Sequence, residues 1–183
     1  MEPLNQDLRI QGAKVNLRPI TEDDTENLLK WRNDPNVVDN FIYRKVVTRQ
    51  EHERWLATKV FTGKVHQFII TVNETGKDIG SIYLQNFDEE NKKTEWGIFI
   101  GSDSEVYGKG YGTEAATLIW QYAFKDLGYH KVMSRVLAYN TASIRMNEKA
   151  GYKKEALLVD ELLIDGKYED VILFGIINED GKV

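Results

Sequence analysis

The chain has 183 residues, 42% hydrophobic and 29% charged, which fits one globular domain over 1–183 and excludes a disordered, collagenous or membrane-embedded protein. It contains no cysteine, which excludes disulfides, thiolate metal sites, a cysteine nucleophile and a redox motif. With 29 Asp plus Glu against 24 Lys plus Arg, the balance speaks against sequence-independent nucleic-acid binding, and a cationic or neutral small partner fits better.

The opening MEPLNQDLRIQG lacks the apolar run of a signal peptide, and no 18-residue apolar stretch follows, so the expectation is a cytoplasmic protein with no membrane contact. No repeat or Pro/Gly/Ser-rich linker marks a boundary. A strand is expected from Lys14 to Ile20. Thr21 with Asp24 resembles a capping box, and Leu28, Leu29 and Trp31 supply the apolar side of a helix ending near Asn33-Asp34-Pro35. From there to Lys45 the chain reads as a flexible segment. Thr48 and Glu51 repeat the capping signal, predicting a helix over 48–62 with Trp55, Leu56 and Val60 inward. Three β-branched and aromatic runs, 68–72, 79–84 and 94–100, read as an antiparallel meander. From Gly110 the period returns to helical, with Ala115, Leu118, Ile119, Tyr122 and Ala123 on one face up to Gly128. Lys131 to Ala138 reads as a strand, Asn140 to Ala150 as a helix closed by Gly151, and Asp165-Gly166 as a hairpin turn. The class is mixed α/β.

The most informative stretch is Tyr107-Gly108-Lys109-Gly110-Tyr111-Gly112-Thr113, between an apolar strand and an amphipathic helix. Its glycines allow a tight turn and close approach to a ligand, and the helix start directs unpaired N–H groups at what lies in front. Such a site suits a phosphate or pyrophosphate. It is not a P-loop, because Gly110 follows Lys109 where Ser or Thr is needed, and it lacks the third glycine of the dinucleotide fingerprint, where Thr113 stands.

A second segment, Asn140-Thr141-Ala142-Ser143 leading to Glu148-Lys149-Ala150-Gly151-Tyr152, completes the pattern. Together the two resemble the GCN5-related N-acetyltransferase (GNAT) superfamily, over Lys14 to Ile177. The resemblance implies that family's α/β fold, with a mostly antiparallel sheet flanked by helices, and acetyl-CoA as co-substrate. It implies that the main chain of Tyr107, Gly108, Lys109, Gly110, Tyr111, Gly112 and Thr113 wraps the coenzyme A pyrophosphate. It further implies that the strand carrying Ile98, Phe99 and Ile100 splays from its neighbour and pairs with the pantetheine arm. Asn140 would contact the coenzyme, with Ser143 and Asn147 near the thioester. Many members place a tyrosine where this chain has Asn147 and use its hydroxyl as acid toward the departing thiolate. Enzymes acetylating ribosomal-protein N-termini, which the sequence also resembles, lack it, and the acid role falls on the serine matching Ser143.

A primary amine has a pKa near ~10 and must lose a proton before it attacks a thioester. By resemblance the base is Glu95, at the start of the splayed strand, or Glu161. Direct attack needs no covalent acyl-enzyme, and no metal is expected, because His52, His66 and His130 are scattered without carboxylate partners at metal or triad spacing. Arg32 has two readings, a partner for an acceptor anion or a helix-end charge. Lys109 reads as a phosphate neighbour or a solvated charge. Three amine acceptors stay open by resemblance: a protein N-terminus, favoured by Ser143 with Asn147 in place of tyrosine, a polyamine, suggested by the tail 158–170, and an amino sugar, suggested by Trp31-Arg32-Asn33 together with Glu51-His52-Glu53-Arg54-Trp55. A module that binds acyl-CoA and senses it without transfer is the alternative, motivated by Asn147. The resemblance also leaves a homodimer open.

Overall fold

In the computed structural model, which describes residues 2–102 and 105–179, a two-residue strand β1 (Ile10–Gln11) pairs antiparallel with β2 (Val15–Pro19). β1 is too short for an alternating pattern to register. The Asp24 carboxylate accepts from the Thr21 N–H at 2.9 Å and hydroxyl at 3.2 Å. This box opens a short 3-10 turn, Glu22–Asp24, and the α-helix α1 (Thr25–Arg32) begins after it. The segment expected to be flexible begins with a helix, α2 (Pro35–Asp39), whose start is capped by Asp34 accepting from the Asn36 N–H at 2.9 Å. Asp followed by Pro is a helix-start signal that the brevity of α2 disguised. Thr48 and Glu51 cap each other reciprocally, at 3.2 and 2.9 Å. They open α3 (Arg49–Trp55), which widens into a π turn, Leu56–Val60.

The meander forms β3 (His66–Val72), β4 (Asp78–Asp88) and β5 (Lys93–Ile100). Then come α4 (Tyr111–Lys125), β6 (Lys131–Leu137), α5 (Thr141–Lys149), and a hairpin of β7 (Lys153–Ile164) and β8 (Lys167–Ile177). Asp165 and Gly166 turn that hairpin with positive φ at both positions, 51° and 82°, as the sequence expects of a primed turn. The strands make one eight-stranded sheet in the order β1-β2-β3-β4-β5-β6-β8-β7. Every neighbouring pair is antiparallel except β5 with β6, which is parallel. The expected α/β class, a mostly antiparallel sheet flanked by helices, is borne out. Among the described residues no helix is long and apolar enough to cross a membrane.

Alternation along the central strands feeds two cores. Phe68 and Ile70 of β3, with Ile82 and Leu84 of β4, pack with Ala115, Ile119 and Tyr122 of α4. Ile69 between them points the other way, into a cluster with Leu28 and Trp31 of α1, Leu56, and Phe99 of β5. Because both faces are covered, β3 reads as a continuous apolar run.

One polar knot ties β2 to the α1 side. The Arg18 guanidinium donates to Asp24 at 2.9 and 2.7 Å and to Asp78 at 2.6 Å. Burial pushes the Asp24 carboxyl up, but the Arg18 and Thr21 hydrogen bonds outweigh it and hold the group below its ordinary 3.8. A depressed carboxylate stabilises the fold above the unfolded-state value, and that stability is lost as pH falls through the lower folded value. Asp24→Asn is therefore expected to cost about 1–3 kcal/mol near neutrality. The gap from wild type should narrow as the pH drops below about 3.8. Urea unfolding at a series of pH values checks this, and a gap independent of pH would count against the knot.

Candidate active site

The site originates where the two parallel strands part. Their register runs from Lys93↔Lys131 to Glu95↔Met133 and stops, while β5 continues to Ile100 beside β4 and β6 to Leu137 beside β8. Trp96, the first residue past the split, stacks on Tyr152 with ring centroids 5.3 Å apart. Both rings are buried, which wedges the strands apart at that level. From Trp96 onward the β6-facing edge of β5 is open to another chain-like partner.

An inner cavity of about 180 Å³ fills the gap, lined by Glu95, Trp96, Gly97 and Ile98 of β5, Ser134 to Leu137 of β6, Tyr83 of β4 and the 40–43 segment. It shares Asn40, Phe41, Ile98, Asn140 and Ser143 with a groove of about 370 Å³ that runs across the glycine loop. On its other side it shares Phe41, Tyr43, Tyr83, Gln85 and Asn86 with a chamber of about 480 Å³ beneath α1 and α3. Groove, cavity and chamber thus follow one another.

Each glycine of the loop has a separate reason. Gly108 and Gly110 adopt φ of 74° and 83°, where a side chain is strained. Gly112 lies so close to Met146 and Ile100 that a Cβ would sit 3.0 Å from the Met146 sulfur. Gly110 is the N-cap of α4, a 15-residue helix, so the N–H groups of its first turn are free of intrahelical partners. The loop is braced from behind. Glu114 accepts from the N–H groups of Ala13, Lys14 and Val15 at 2.7 to 2.9 Å, and the Lys14 ammonium donates to the Lys109 carbonyl at 3.0 Å. Tyr107, Gly108, Gly110, Tyr111, Gly112 and Thr113 line the groove with Ile98, Phe99 and Ile100, whereas Lys109 is exposed outside it.

At the far wall, Asn140 caps α5 by accepting from the Ser143 N–H at 3.0 Å, and its amide donates to the Asn40 carbonyl at 3.3 Å. Ser143 lines both groove and cavity. Asn147 is buried, accepting from the Ser134 hydroxyl at 2.6 Å and donating to the Ser143 carbonyl at 2.9 Å. Its amide therefore pins α5 to β6 just beyond the split.

Of the two carboxylates singled out by sequence, Glu95 lies in the cavity, where it is the one carboxylate among the described lining residues, and it accepts from the Asn86 amide at 3.1 Å. Glu161 does not line the cavity. It sits exposed on β7 at a register shift and pairs with Arg135 at 2.5 Å.

Sequence reasoning did not single out Tyr83. Burial pushes its phenol up to about 12, against the opposing charge of Arg32, so it keeps its proton at neutral pH. It faces Gly97 across the β4–β5 ladder, and a Cβ at Gly97 would sit 2.4 Å from its hydroxyl oxygen. That glycine exists so that the ring can lie over β5. A lone tyrosine in a strand gives no signal, because its role depends on a cross-strand partner fixed by register.

The histidines do not assemble, and among the described residues no group of three or more His, Asp or Glu is placed to hold a metal. His66 is buried between the Tyr122 hydroxyl and the Glu2 carbonyl, each at 3.0 Å. His52 lines the chamber beneath α1 and α3.

Residues 14–153 match the family model described as an acetyltransferase (GNAT) domain. Over 170 residues the chain is 26% identical to an uncharacterized N-acetyltransferase of Bacillus licheniformis, covering 91% of this chain and 94% of that protein. An uncharacterized protein of Methanocaldococcus jannaschii is 30% identical over 146 residues, 79% of this chain but 29% of that protein, so the chain spans less than a third of that relative. Among solved structures, a spermidine N-acetyltransferase of Vibrio cholerae in complex with CoA and spermine superposes with a TM-score of 0.83 at 22% identity, over 93% of this chain and 99% of that one. The last likeness is one of fold.

The contact between Gly97 and Tyr83 is open to a double-mutant test. Gly97→Ala is expected to destabilise the protein by about 1–3 kcal/mol through overpacking, and by much less in a Tyr83→Ala background. Denaturant midpoints measure both. Equal costs in the two backgrounds would mean that the ring does not rest on that glycine.

Proposed function

The chain belongs to the acetyltransferase (GNAT) family, and from that membership we propose that it moves an acetyl group from acetyl-CoA directly to a primary amine. The observation that carries this reading is the junction of the strand split with the glycine loop. An open strand edge, an inner cavity and a helix N-terminus lie along one continuous groove. The residues present fit the coenzyme. The loop would hold the pyrophosphate on main-chain N–H groups from Gly108 to Thr113, and Ile98, Phe99 and Ile100 would present backbone groups to the amide-bearing arm. When bound, the coenzyme supplies an activated acetyl group.

The remaining steps belong to side chains. Glu95, directly or through one water, takes the proton that the attacking amine must lose. Enclosure in the cavity lowers the amine's own pKa by stripping water from the ammonium. Ser143 holds an O–H at the boundary between groove and cavity, where a departing thiolate needs a proton, and the Tyr83 phenol gives the cavity a second donor that stays protonated at working pH. Asn147 positions Ser143 through its carbonyl and takes no part in proton transfer. Glu161 keeps Arg135 in place beside the cavity. The acceptor is a small amine, in keeping with the spermine held by the related Vibrio structure.

A second reading is a sensor that binds acyl-CoA without transferring it, favoured by the engagement of the Asn147 amide where a phenol is common. Free-thiol release from acetyl-CoA over a panel of amines separates the two, since binding without turnover on every amine would establish the sensor. For the transferase, Glu95→Gln should lower kcat by about 10²–10⁴-fold while the calorimetric affinity for CoA stays unchanged. Gly110→Val should weaken CoA binding strongly, because a β-branched residue resists positive φ, yet leave the far-ultraviolet circular dichroism intact. Unaltered CoA affinity in Gly110→Val would remove the loop from the donor site.

A further inference from the structure

The chamber beyond Tyr83 bears on which amine the protein accepts, a question that rests on the transferase reading. Its walls are largely rings and aliphatic groups, including Phe41, Trp55, Phe99 and Leu28. Its charges are unbalanced. Lys45 and Glu51 pair with each other, which leaves Arg32 at the end of α1 as the uncompensated charge. The Arg32 guanidinium lies 4.1 Å over the Phe41 ring and donates from Nη2 to the Tyr43 carbonyl at 2.6 Å. Its Nη1 is buried with no hydrogen-bond partner, and so is Nε2 of His52 in the same wall. Among the described residues no carboxylate pairs with this guanidinium. Burial lowers the pKa of both groups, with only the Tyr83 phenol opposing at Arg32 and Glu53 opposing at His52. The imidazole is therefore neutral near pH 7, and the guanidinium, which does not deprotonate in proteins, is a half-buried cation whose Nη1 is turned away from bulk solvent.

Both nitrogens face a chamber of about 480 Å³ and draw their partners from it, water or a ligand group. An ammonium there would face the guanidinium without a counter-charge, whereas an oxyanion would satisfy it with charge-assisted hydrogen bonds. The chamber meets the inner cavity at Tyr83, Gln85 and Asn86, and Asn86 is bonded to Glu95. One molecule can therefore reach from the base to the arginine. We propose that the acceptor is a primary amine that also carries a carboxylate or phosphate, its amine at Glu95 and its oxyanion in the chamber on Arg32, with His52 alongside. A polyamine is then a poor substrate, although the fold is shared with an enzyme of polyamines.

Matched pairs of acceptors test this with the full chain at saturating acetyl-CoA: UDP-glucosamine against glucosamine for a phosphate, and a short ω-amino acid against the alkylamine of the same length for a carboxylate, with spermidine beside them. The anionic member of at least one pair should exceed its match by about tenfold or more in kcat/KM, mainly through KM, and the pair that does so names the oxyanion. Arg32→Gln should abolish that advantage and Arg32→Lys restore part of it, with CoA affinity unaltered in both. Equal rates within both pairs, preference for spermidine, or an equal loss on anionic and neutral amines in Arg32→Gln would overturn the proposal. Should Arg32→Gln not fold, the wild-type pairs decide alone. Should no amine turn over, which is failure of the transferase reading, the same pairs are compared by calorimetry on the CoA-loaded protein. Discrimination there upholds the oxyanion site, and its absence overturns it.

Discussion

The structure depends on a ladder that is left unfinished. Two parallel strands pair for three residues each, Lys93 to Glu95 with Lys131 to Met133, and then part while each stays hydrogen-bonded to its outer neighbour. A strand edge inside a sheet is ordinarily satisfied on both sides, since unpaired N–H and C=O groups are costly when buried. Here the wedge of Trp96 on Tyr152 and the clamp of Asn147 between Ser134 and Ser143 hold the edges apart. The gap is built by packing on one side and hydrogen bonds on the other. It exposes backbone groups that a partner with amide groups of its own can satisfy.

The other features are set by where the gap points. The crossover from β5 to β6 passes through α4, so the start of that helix falls at the end of the split, and the loop preceding it must turn back sharply. That explains positive φ at Gly108 and Gly110, and the small residue where α4 meets α5 and β5 at Gly112. On the opposite face the register of β4 with β5 places Tyr83 over Gly97, and the ring borders both the cavity and the chamber under α1. A single alternation along β5 thus sends Ile98 and Ile100 toward the α4 side and Phe99 toward the α1 side.

Much of this was legible in the sequence wherever the determinant was local. The reciprocal box at Thr48 and Glu51, the Asp165-Gly166 turn and the glycine loop are all read from neighbours a few residues apart, and each is found where expected. The 3-10 turn after Thr21, the five-residue α2 and the two-residue β1 were not, because one turn or one pair of residues is below the length at which periodicity speaks. Glu95 and Glu161 show the same limit at the site. Both are acidic residues on strands, and only the folded chain separates them, with Glu95 in the cavity beside the Asn86 amide and Glu161 outside it on Arg135. Tyr83, Lys14 and the Asn147 clamp act through partners distant in the chain, and spacing cannot reveal such partners.

Charge shows the difference most clearly. The chain carries a formal net charge of −5, which suggests attraction for cations, and in water at physiological salt that field reaches only about 8 Å beyond the surface. In a chamber walled by Phe41, Trp55 and Phe99 the local balance of charge counts for more, because a charge partly removed from water is less screened than one on the open surface. Lys45 and Glu51 cancel, and what remains is the Arg32 guanidinium with one nitrogen unsatisfied. An acidic protein can therefore offer a site to an anionic molecule wherever its fold half-buries one arginine without a carboxylate. Net charge acts on the encounter at long range, and a local imbalance such as that at Arg32 acts only at contact.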